Sequence, residues 1–297
     1  MCLGISPLLL GRIIMKRRKH YRRFYLSKKG GGKRPIDSPR VFLKVIQGFL
    51  ADYVLRDLTA HDCVHSYRKG RSILSNATPH EKHKFVGNID INNFFGSVSE
   101  ATVIKTLRQN GFIETEAKLI AALCTKDDAL PQGAPTSPII SNAILYEFDA
   151  AMHEVAVQNK ITYTRYADDI TLSGGDRSAV NSTIKAAQQL LADKAHMRLN
   201  RAKTRVASNS GQQRVTGLVV NVEAAPPRIL RKKIRAAFHN AAKTKKVSEE
   251  EMYHLNGYLN FLKGFPKYRD GKIVQLYKEK LTELTVAPAK KAKVHHH

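Results

Sequence analysis

The chain has 297 residues, with 50 Lys and Arg against 25 Asp and Glu, and carries a formal net charge of +25. Its hydrophobic content of 42% is sufficient for a folded core, which excludes a disordered basic tail. Simple metabolic enzymes lack so strong a positive charge, so the combination indicates a folded protein that binds a polyanion, most simply a nucleic acid.

An anionic membrane is the rival partner, but no long helical pattern places basic residues on one face and aromatics on the other. The apolar run at 8–14 is broken by Arg12 and is far shorter than the roughly 20 residues of a membrane span. The basic residues at 16–19 follow this run, whereas the positive charges of a signal peptide precede its apolar run. Cys2, Cys63 and Cys124 form no Cys-x-x-Cys pair, which suits a reducing compartment. We expect a soluble, cytoplasmic protein without a membrane partner.

Two strands are predicted near the start, at 24–28 and 33–36, on either side of Gly30-Gly31-Gly32. The surrounding segment 16–34 carries ten basic residues with aromatic residues between them, which can neutralise phosphate and stack on bases. A solvated charged face with the aromatics packed beneath it explains the same composition. A mobile basic hairpin suits a part that closes over a triphosphate. An amphipathic helix is predicted next, at 41–58.

A polar segment, Asn76-Ala77-Thr78-Pro79-His80, precedes the next predicted strand. His80 and His83 suggest a metal, but no third ligand stands at a recognised spacing, and we favour an ordinary polar segment. The strand at 85–91 is apolar and has Asp90 near its end. Because a buried strand that ends in Asp commonly presents its carboxylate at the rim of a sheet, Asp90 is a candidate site residue.

Helices are predicted at 100–110 and near 114–124, followed by a loop at 130–138. Three prolines and a glycine make this loop rigid, so that it can hold Gln132 against a ligand. Thr136 or Ser137 can cap a long helix that runs to about residue 158.

The tetrapeptide Tyr166-Ala167-Asp168-Asp169, the acidic turn, is the centre of a predicted hairpin. On both sides of it β-branched and aromatic residues alternate with polar ones, which is typical of two short strands joined by a tight turn. Adjacent carboxylates repel each other, so the pair is costly unless a cation neutralises it or water surrounds it. Our hypothesis is that Mg²⁺ is that cation; an ordinary solvated turn is the alternative.

A helix at 178–196, a strand at 205–207 and a strand with a Gly kink at 214–221 follow the hairpin. The order strand, helices, hairpin, helix, strand predicts an α+β fold with a split β-α-β sheet and helices on one face. Pro226-Pro227 marks a boundary. Beyond it a small basic helical lobe is predicted, with helices at 228–245, 249–262 and 271–284.

These motifs occur in the order and approximate spacing of reverse transcriptases: Asp90 with Phe94-Phe95, the loop Leu130-Pro131-Gln132-Gly133, the acidic turn, and Lys203-Thr204. The chain resembles the bacterial retron reverse transcriptases most closely, because Asn76-Ala77-x-x-His80 and Val215-Thr216-Gly217 look like two additional signatures of that group. Group II intron and diversity-generating enzymes share the central motifs and are alternatives.

The resemblance implies the right-hand polymerase architecture of fingers, palm and thumb. The implied domains are an N-terminal segment and fingers at 1–84, a ferredoxin-like palm at 85–222 with a helical insertion at about 100–128, a helical thumb at 223–284, and a disordered tail at 285–297 that ends in a tag remnant.

Two-metal nucleotidyl transfer needs divalent ions about 3.5–4 Å apart, and Mg²⁺ prefers carboxylate oxygens. The resemblance implies that Asp90 and Asp168 bridge two Mg²⁺ ions and that Asp169 completes the catalytic set. Ile91 is the further implied metal-binding position.

The resemblance also implies a pocket for the incoming nucleotide. Lys28, for which Lys29 is an equally placed substitute, and Arg34 match positions that grip the triphosphate, and Arg suits phosphate because its planar fork binds in a bidentate way. Phe95 matches the aromatic that excludes a 2′-hydroxyl, although a core role is its alternative. Gln132 would position the nucleotide, and Lys203 would lie near the triphosphate.

RNA contacts are expected at the two retron signatures and at the first helix of the basic lobe. A kinked strand without a contact is the alternative for Val215-Thr216-Gly217. The expected RNA-binding residues are Asn76, His80, Val215, Thr216, Gly217, Arg231, Lys232 and Arg235.

The implied function is a retron-type RNA-directed DNA polymerase that copies a structured non-coding RNA from an RNA 2′-hydroxyl, using dNTPs, to give branched multicopy single-stranded DNA. The resemblance further implies an antiphage defence system with a separately encoded effector protein. No RNase H carboxylate set and no His/Asn/Cys endonuclease cluster follows residue 221. A fold that binds structured RNA without synthesis is the different-class alternative, but such a protein has little use for three repelling acids.

Overall fold

The computed structural model describes residues 4–27 and 31–286. Helix α1, Pro7–Met15, was not predicted from the sequence; Ser6 caps it and Ile13 anchors it in the core. Strands β1, Tyr21–Ser27, and β2, Lys33–Pro39, pair antiparallel over their full lengths as the N-terminal hairpin. The hairpin prediction is confirmed with longer strands, while Lys28 and Lys29 lie outside the described residues.

The helix predicted at 41–58 is shorter than expected. It consists of α2, Val41–Phe49, and a π-helical turn, Leu50–Val54, beyond which the chain leaves helical geometry. A short helix, α3, Ile73–Ala77, comes next in the chain. Helices α4, Glu100–Gln109, and α5, Glu114–Cys124, pack against each other beside α2. Gln47 of α2 is fully buried and donates to the Leu123 carbonyl at 2.8 Å, which joins α2 to α5.

The central sheet has four strands in the order β4-β5-β3-β6, and each neighbouring pair is antiparallel. Gly87 on β3 faces α8, where an added Cβ would lie 3.0 Å from Val180 Cγ1, so the helix packs closely on this face. Side chains alternate along a strand, so Asn88 and Asp90 point to the opposite face. The strands are β3 Phe85–Asp90, β4 Thr162–Tyr166, β5 Asp169–Gly174 and β6 Arg205–Ser208, and α8 is Arg177–Ala195.

The single long helix predicted up to residue 158 is wrong. The structure has two helices, α6, Ser137–Ile144, and α7, Tyr146–Gln158, separated at Leu145, whose backbone leaves helical geometry. Both helices bury apolar residues in the same core, so the hydrophobic period continues through the break and conceals it.

The strand predicted at 214–221 is also wrong. Strands β7, Arg214–Val215, and β8, Leu218–Val219, form a short antiparallel hairpin, the distal hairpin. Its two-residue turn places Thr216 at φ 45° and Gly217 at φ 85°, and a tight turn with two positive φ angles matches the twist of the flanking strands. A β-branched Thr is unusual in this conformation, which is why the turn is hard to recognise from sequence.

The helical lobe follows the distal hairpin and contains the predicted helices. Thr285–Val286 pairs with Lys246–Val247 in parallel, so the ordered chain extends past the predicted start of the tail. Val215 and Leu218 belong to the hydrophobic cluster of the lobe, so the predicted boundary at 222–223 divides residues that share a core. No helix in the described ranges is long and apolar enough to cross a membrane. The lobe helices are α9 Arg228–Thr244, α10 Glu249–Lys263, α11 Pro266–Arg269 and α12 Lys272–Thr282.

Candidate active site

The acidic turn is a two-residue connection between β4 and β5, with Ala167 at φ 58°. Both backbone polar groups of Ala167 are bound by buried side chains. Its N–H donates to Ser66 Oγ at 2.7 Å, and its carbonyl accepts from Arg165 Nη1 at 3.0 Å. These two bonds hold a non-glycine residue in the left-handed region and thereby aim the adjacent Asp168.

Arg165 is fully buried beneath the acidic turn and pairs with Asp149 of α7. Its Nε and Nη2 atoms donate to the two Asp149 oxygens at 2.8 and 2.5 Å, and Tyr163 Oη donates to Oδ1 at 2.6 Å. Our sequence interpretation missed this ion pair. Arg165 itself was the signal that could have revealed the pair. It lies in the middle of a predicted strand whose other residues are typical of the interior of a sheet.

The carboxylates of the turn meet Asp90 across the strands. In the β3–β5 register Asp90 lies directly opposite Asp169, and the Ile91 N–H donates to the Asp168 carbonyl at 3.0 Å. Lys203 Nζ donates to both Asp90 oxygens at 2.9 Å. The structure therefore brings together Asp90, Ile91, Asp168 and Asp169, with the Lys203 ammonium at their edge.

Electrostatics show that this cluster is short of positive charge. Loss of water in the cleft, followed by the charges of Asp168 and Asp90, raises the pKa of Asp169 to about 6. Burial is also the main reason that the pKa of Asp168 is raised, and the positive charges of Lys203 and Arg34 oppose that increase. Carboxyl groups that resist ionisation together are those that a divalent cation stabilises.

The donor set fits a hard divalent cation, because it consists of carboxylates without Cys or His. Within the described ranges, no three His, Cys, Asp or Glu side chains converge into a ready-made metal site. Asp90 is instead turned toward Lys203. A bound ion would therefore replace the Lys203 ammonium as the partner of Asp90, and would be held by Asp90, Asp168, Asp169 and Ile91.

The predicted nucleotide-binding residues surround this cluster in part. Arg34, in the exposed first half of β2, is close enough to affect the Asp168 carboxyl. Phe95 is half-buried, with its ring centroid 5.1 Å from that of Phe94. The Gln132 carbonyl accepts from the Asp37 N–H at 2.9 Å, which fixes the rigid loop to β2. Gly133 beside it has a φ of 124°, a conformation that favours glycine.

A cleft of about 480 Å³ runs from the carboxylates to the distal hairpin along the exposed face of the central sheet. Thr216 and Gly217 border it at the far end, whereas the Val215 side chain is fully buried in the lobe cluster. Arg205 and Arg214 line the cleft and were not singled out in the sequence. The complete lining is Ile73, Asn88, Ile89, Asp90, Tyr166, Asp169, Thr171, Lys203, Arg205, Arg214, Thr216 and Gly217.

The prediction that Asn76 and His80 contact RNA does not agree with their burial, since both side chains have no exposed surface. His80 Nδ1 and Nε2 lie 2.6 and 2.7 Å from Ser173 Oγ and Thr164 Oγ1 on the central sheet. Burial lowers the pKa of His80 to about 3, so the ring is neutral. Neither amide atom of Asn76 has a hydrogen-bond partner among the described residues.

The cations predicted in the helical lobe are exposed on α9. Arg231, Lys232 and Arg235 border a second groove of about 310 Å³, together with Tyr268 and Tyr277. The structure thus places these three cations on one accessible surface, next to aromatic side chains.

The family model for "Reverse transcriptase (RNA-dependent DNA polymerase)" matches residues 26–230, and the chain belongs to this family. The Retron Ec86 reverse transcriptase of Escherichia coli is 33% identical over 247 residues, covering 82% of this chain and 75% of that relative. The Retron Mx65 reverse transcriptase of Myxococcus xanthus is 34% identical over 266 residues, covering 84% and 62%. Within the family, the chain belongs to the retron reverse transcriptases. It spans about three fifths of the length of its Myxococcus xanthus relatives.

Solved structures confirm the predicted fold. A foamy viral protease-reverse transcriptase in complex with double-stranded DNA is similar with a TM-score of 0.51 and 13% identity, covering 98% of this chain and 46% of that one. Candida albicans telomerase in complex with a fragment of telomeric RNA has a TM-score of 0.50 and 10% identity, covering 93% and 60%. Reverse transcriptases use divalent metal ions, which agrees with the carboxylate cluster.

Proposed function

We propose that this protein is a retron-type RNA-directed DNA polymerase that copies part of a structured non-coding RNA into DNA. The observation that carries the proposal is the register of β3 and β5, which sets Asp90 opposite Asp169 at the end of an open, basic cleft. The family membership and the net charge of +25 support a nucleic-acid substrate.

Asp90, Ile91, Asp168 and Asp169 would hold two Mg²⁺ ions, which would acidify the attacking hydroxyl and neutralise the charge of the triphosphate. The protein's own groups do the positioning. Arg34, with Lys28, binds the triphosphate of the incoming dNTP, while Gln132 orients the nucleotide from a loop fixed to β2. Lys203, once released from Asp90, is a cation within reach of the triphosphate.

Phe95 limits the pocket on the side of the sugar. Its ring is supported from below by the buried Phe94, so it is a firm wall against a 2′-hydroxyl. A hydroxyl pressed against an aromatic ring loses its water without gaining a hydrogen bond, and deoxynucleotides are therefore preferred.

The proposed product is branched multicopy single-stranded DNA, because synthesis in retron enzymes starts from an RNA 2′-hydroxyl. We place the protein in an antiphage defence system with a separately encoded effector. Loss of phage protection in cells that carry Asp168→Ala, with the gene neighbourhood otherwise intact, is the expected result for this part of the proposal.

Primer extension with the cognate RNA, dNTPs and Mg²⁺ tests the polymerase. The unmutated protein is expected to make DNA that a debranching enzyme cleaves, and Asp168→Ala and Asp169→Ala are expected to make none. Synthesis by both variants refutes the metal assignment. RNA binding without any synthesis by the unmutated protein favours a binding module, and an unbranched product favours a group II or diversity-generating type.

A further inference from the structure

Residues 72–83, which we call the brace, pack on the face of the central sheet that carries Asp90 and Asp169. They cover the part of that face that is farther from these carboxylates. The His80 ring bridges Ser173 on β5 and Thr164 on β4 at 2.6 and 2.7 Å. Thr164 lies opposite Thr171, and Ser173 is two residues further along β5, so both hydroxyls are on the face that carries Asp169. The brace is thus fixed to the catalytic strand itself, about 13 Å from Asp169 at ~3.3 Å per residue.

The other side of the brace is fixed to the distal hairpin. Thr216 Oγ1 in the turn donates to the Ile73 carbonyl at 3.1 Å. The Lys82 N–H donates to the Val220 carbonyl at 3.1 Å, where the chain leaves the hairpin. The brace therefore holds both the tip and the exit of the hairpin.

A third connection reaches the start of the helical lobe, where the Ala224 N–H donates to Glu81 Oε1 at 2.8 Å. Apolar contacts fill the space between these bonds. Ala77 and Val215 have no exposed surface and belong with Val86 of β3 to one hydrophobic cluster. Such packing leaves little freedom for the hairpin to move independently of the sheet.

We propose that the brace is a positioning element that sets the distance between the turn Thr216–Gly217 and the catalytic carboxylates. Ile73, at the end of the brace, lines the same cleft as Asp90 and Asp169. His80 is in this assignment a positioning residue that acts through the sheet and the hairpin, without touching RNA. Its effect on the primer strand rests on the proposed polymerase function, whereas its effect on the hairpin does not.

Amide hydrogen exchange of the nucleic-acid-free protein tests the coupling directly. His80→Ala is expected to speed exchange about tenfold in a peptide covering residues 213–221, which corresponds to about 1.4 kcal/mol, and to leave the 85–90 peptide of β3 unchanged. Thr216→Val, which removes only the half-buried hydroxyl at the other end of the brace, is expected to do the same, and carries the test if His80→Ala fails to fold.

Thr183→Val is the matched control. Thr183 is fully buried on α8 and accepts from Asn159 Nδ2 at 3.0 Å, so the variant loses a comparable hydrogen bond on the opposite face of the sheet. Its hairpin exchange is expected to stay unchanged. Three results would each overturn the proposal. The first is unchanged hairpin exchange in Thr216→Val, the second is an equal increase of exchange in the 85–90 peptide, and the third is the same hairpin effect in Thr183→Val.

Primer-extension kinetics test the consequence for the reaction. His80→Ala is expected to raise the KM for primer–template about tenfold while the KM for dNTP changes less than twofold. An increase in the KM for dNTP alone contradicts the positioning of the primer. If the unmutated protein makes no DNA at all, the polymerase proposal fails while the exchange result on the hairpin still stands.

Discussion

At the residue scale, the central feature is that Lys203 compensates for charge in the carboxylate cluster. Its ammonium lies 2.9 Å from both oxygens of Asp90, while Asp168 and Asp169 have no such partner among the described residues. Burial is the main reason that the pKa is raised for the two residues of the acidic turn, and no ion pair of their own offsets it. A cation bound beside these two acids would stabilise their ionised form.

The raised pKa of Asp169 predicts a pH-dependent stability. An acid whose folded pKa, about 6, lies above its ordinary value of 3.8 favours folding while protonated, so its contribution is fully present below about pH 4 and is lost as pH rises through 6. We expect Asp169→Asn to gain Tm over the unmutated protein in chelator above pH 6, with the difference disappearing near pH 4. A Tm difference that is constant with pH contradicts this assignment.

Phe95 and Phe94 allow a matched test of sugar selection. Phe95→Val opens the half-buried wall of the pocket, and we expect discrimination against ribonucleotides to fall by about 10- to 200-fold, the range for small changes in an apolar pocket. Single-nucleotide incorporation of GTP against dGTP measures this ratio. Phe94→Leu changes the buried support of that ring and is expected to lower Tm while changing the ratio much less than Phe95→Val does. An equal change of the ratio in both variants contradicts the assignment of sugar selection to Phe95.

At the scale of elements, the acidic turn depends on α7 as much as on its own strands. The pair Arg165–Asp149 joins β4 to α7, and the same Arg165 holds the Ala167 carbonyl. The support of the turn therefore comes from a helix that precedes it in the chain. A loop held from two sides keeps its conformation without substrate, which preorganises the carboxylates.

Breaking this pair is expected to be strongly destabilising. Asp149→Ala leaves the Arg165 charge buried and unpaired, and should lower the free energy of unfolding by about 3–5 kcal/mol in urea denaturation at pH 7. The double variant Arg165→Met with Asp149→Leu removes both charges and should recover much of that loss. A single-variant loss below about 1 kcal/mol, the size of an exposed pair, contradicts the buried geometry.

At the scale of the whole molecule, positive charge is present along the cleft and on the lobe groove. Arg205 and Arg214 lie along the first, and Arg231, Lys232 and Arg235 along the second. Under the proposed function, a nucleic-acid duplex that ends at the carboxylates and extends to the helical lobe would be bound mainly through its phosphates.

Salt dependence tests the role of the lobe groove. Replacing Arg231, Lys232 and Arg235 with Gln should reduce the slope of log affinity against log salt by about 2–3 for an RNA–DNA duplex, because each phosphate contact contributes about 0.9. Fluorescence anisotropy between about 50 and about 300 mM KCl gives the slope. In this range the screening length of the salt passes through roughly 10 Å, so the electrostatic contribution changes measurably. The control replaces three exposed cations of α8 with Gln, namely Arg177, Lys185 and Lys194. A similar loss of slope in this control would mean that the effect comes from net charge and not from the lobe groove.

The sequence alone was sufficient for the local features of the site. Alternation around the acidic turn predicted β4 and β5, and Asp90 near the end of an apolar strand predicted a third carboxylate. Helix ends in the lobe were predicted within a few residues, because caps and hydrophobic period are local signals. The order of the motifs was sufficient for the family and its fold.

Only the tertiary structure decided which of these residues meet. The break at Leu145 and the distal hairpin were mispredicted because the apolar residues before and after each turn are buried together. The hydrophobic pattern therefore continues through the turn and hides it. The burial of His80 and the pairing of Lys203 with Asp90 depend on which strands are neighbours and what covers them. Such contacts join residues about a hundred positions apart, and nothing in a local pattern of residue types records them.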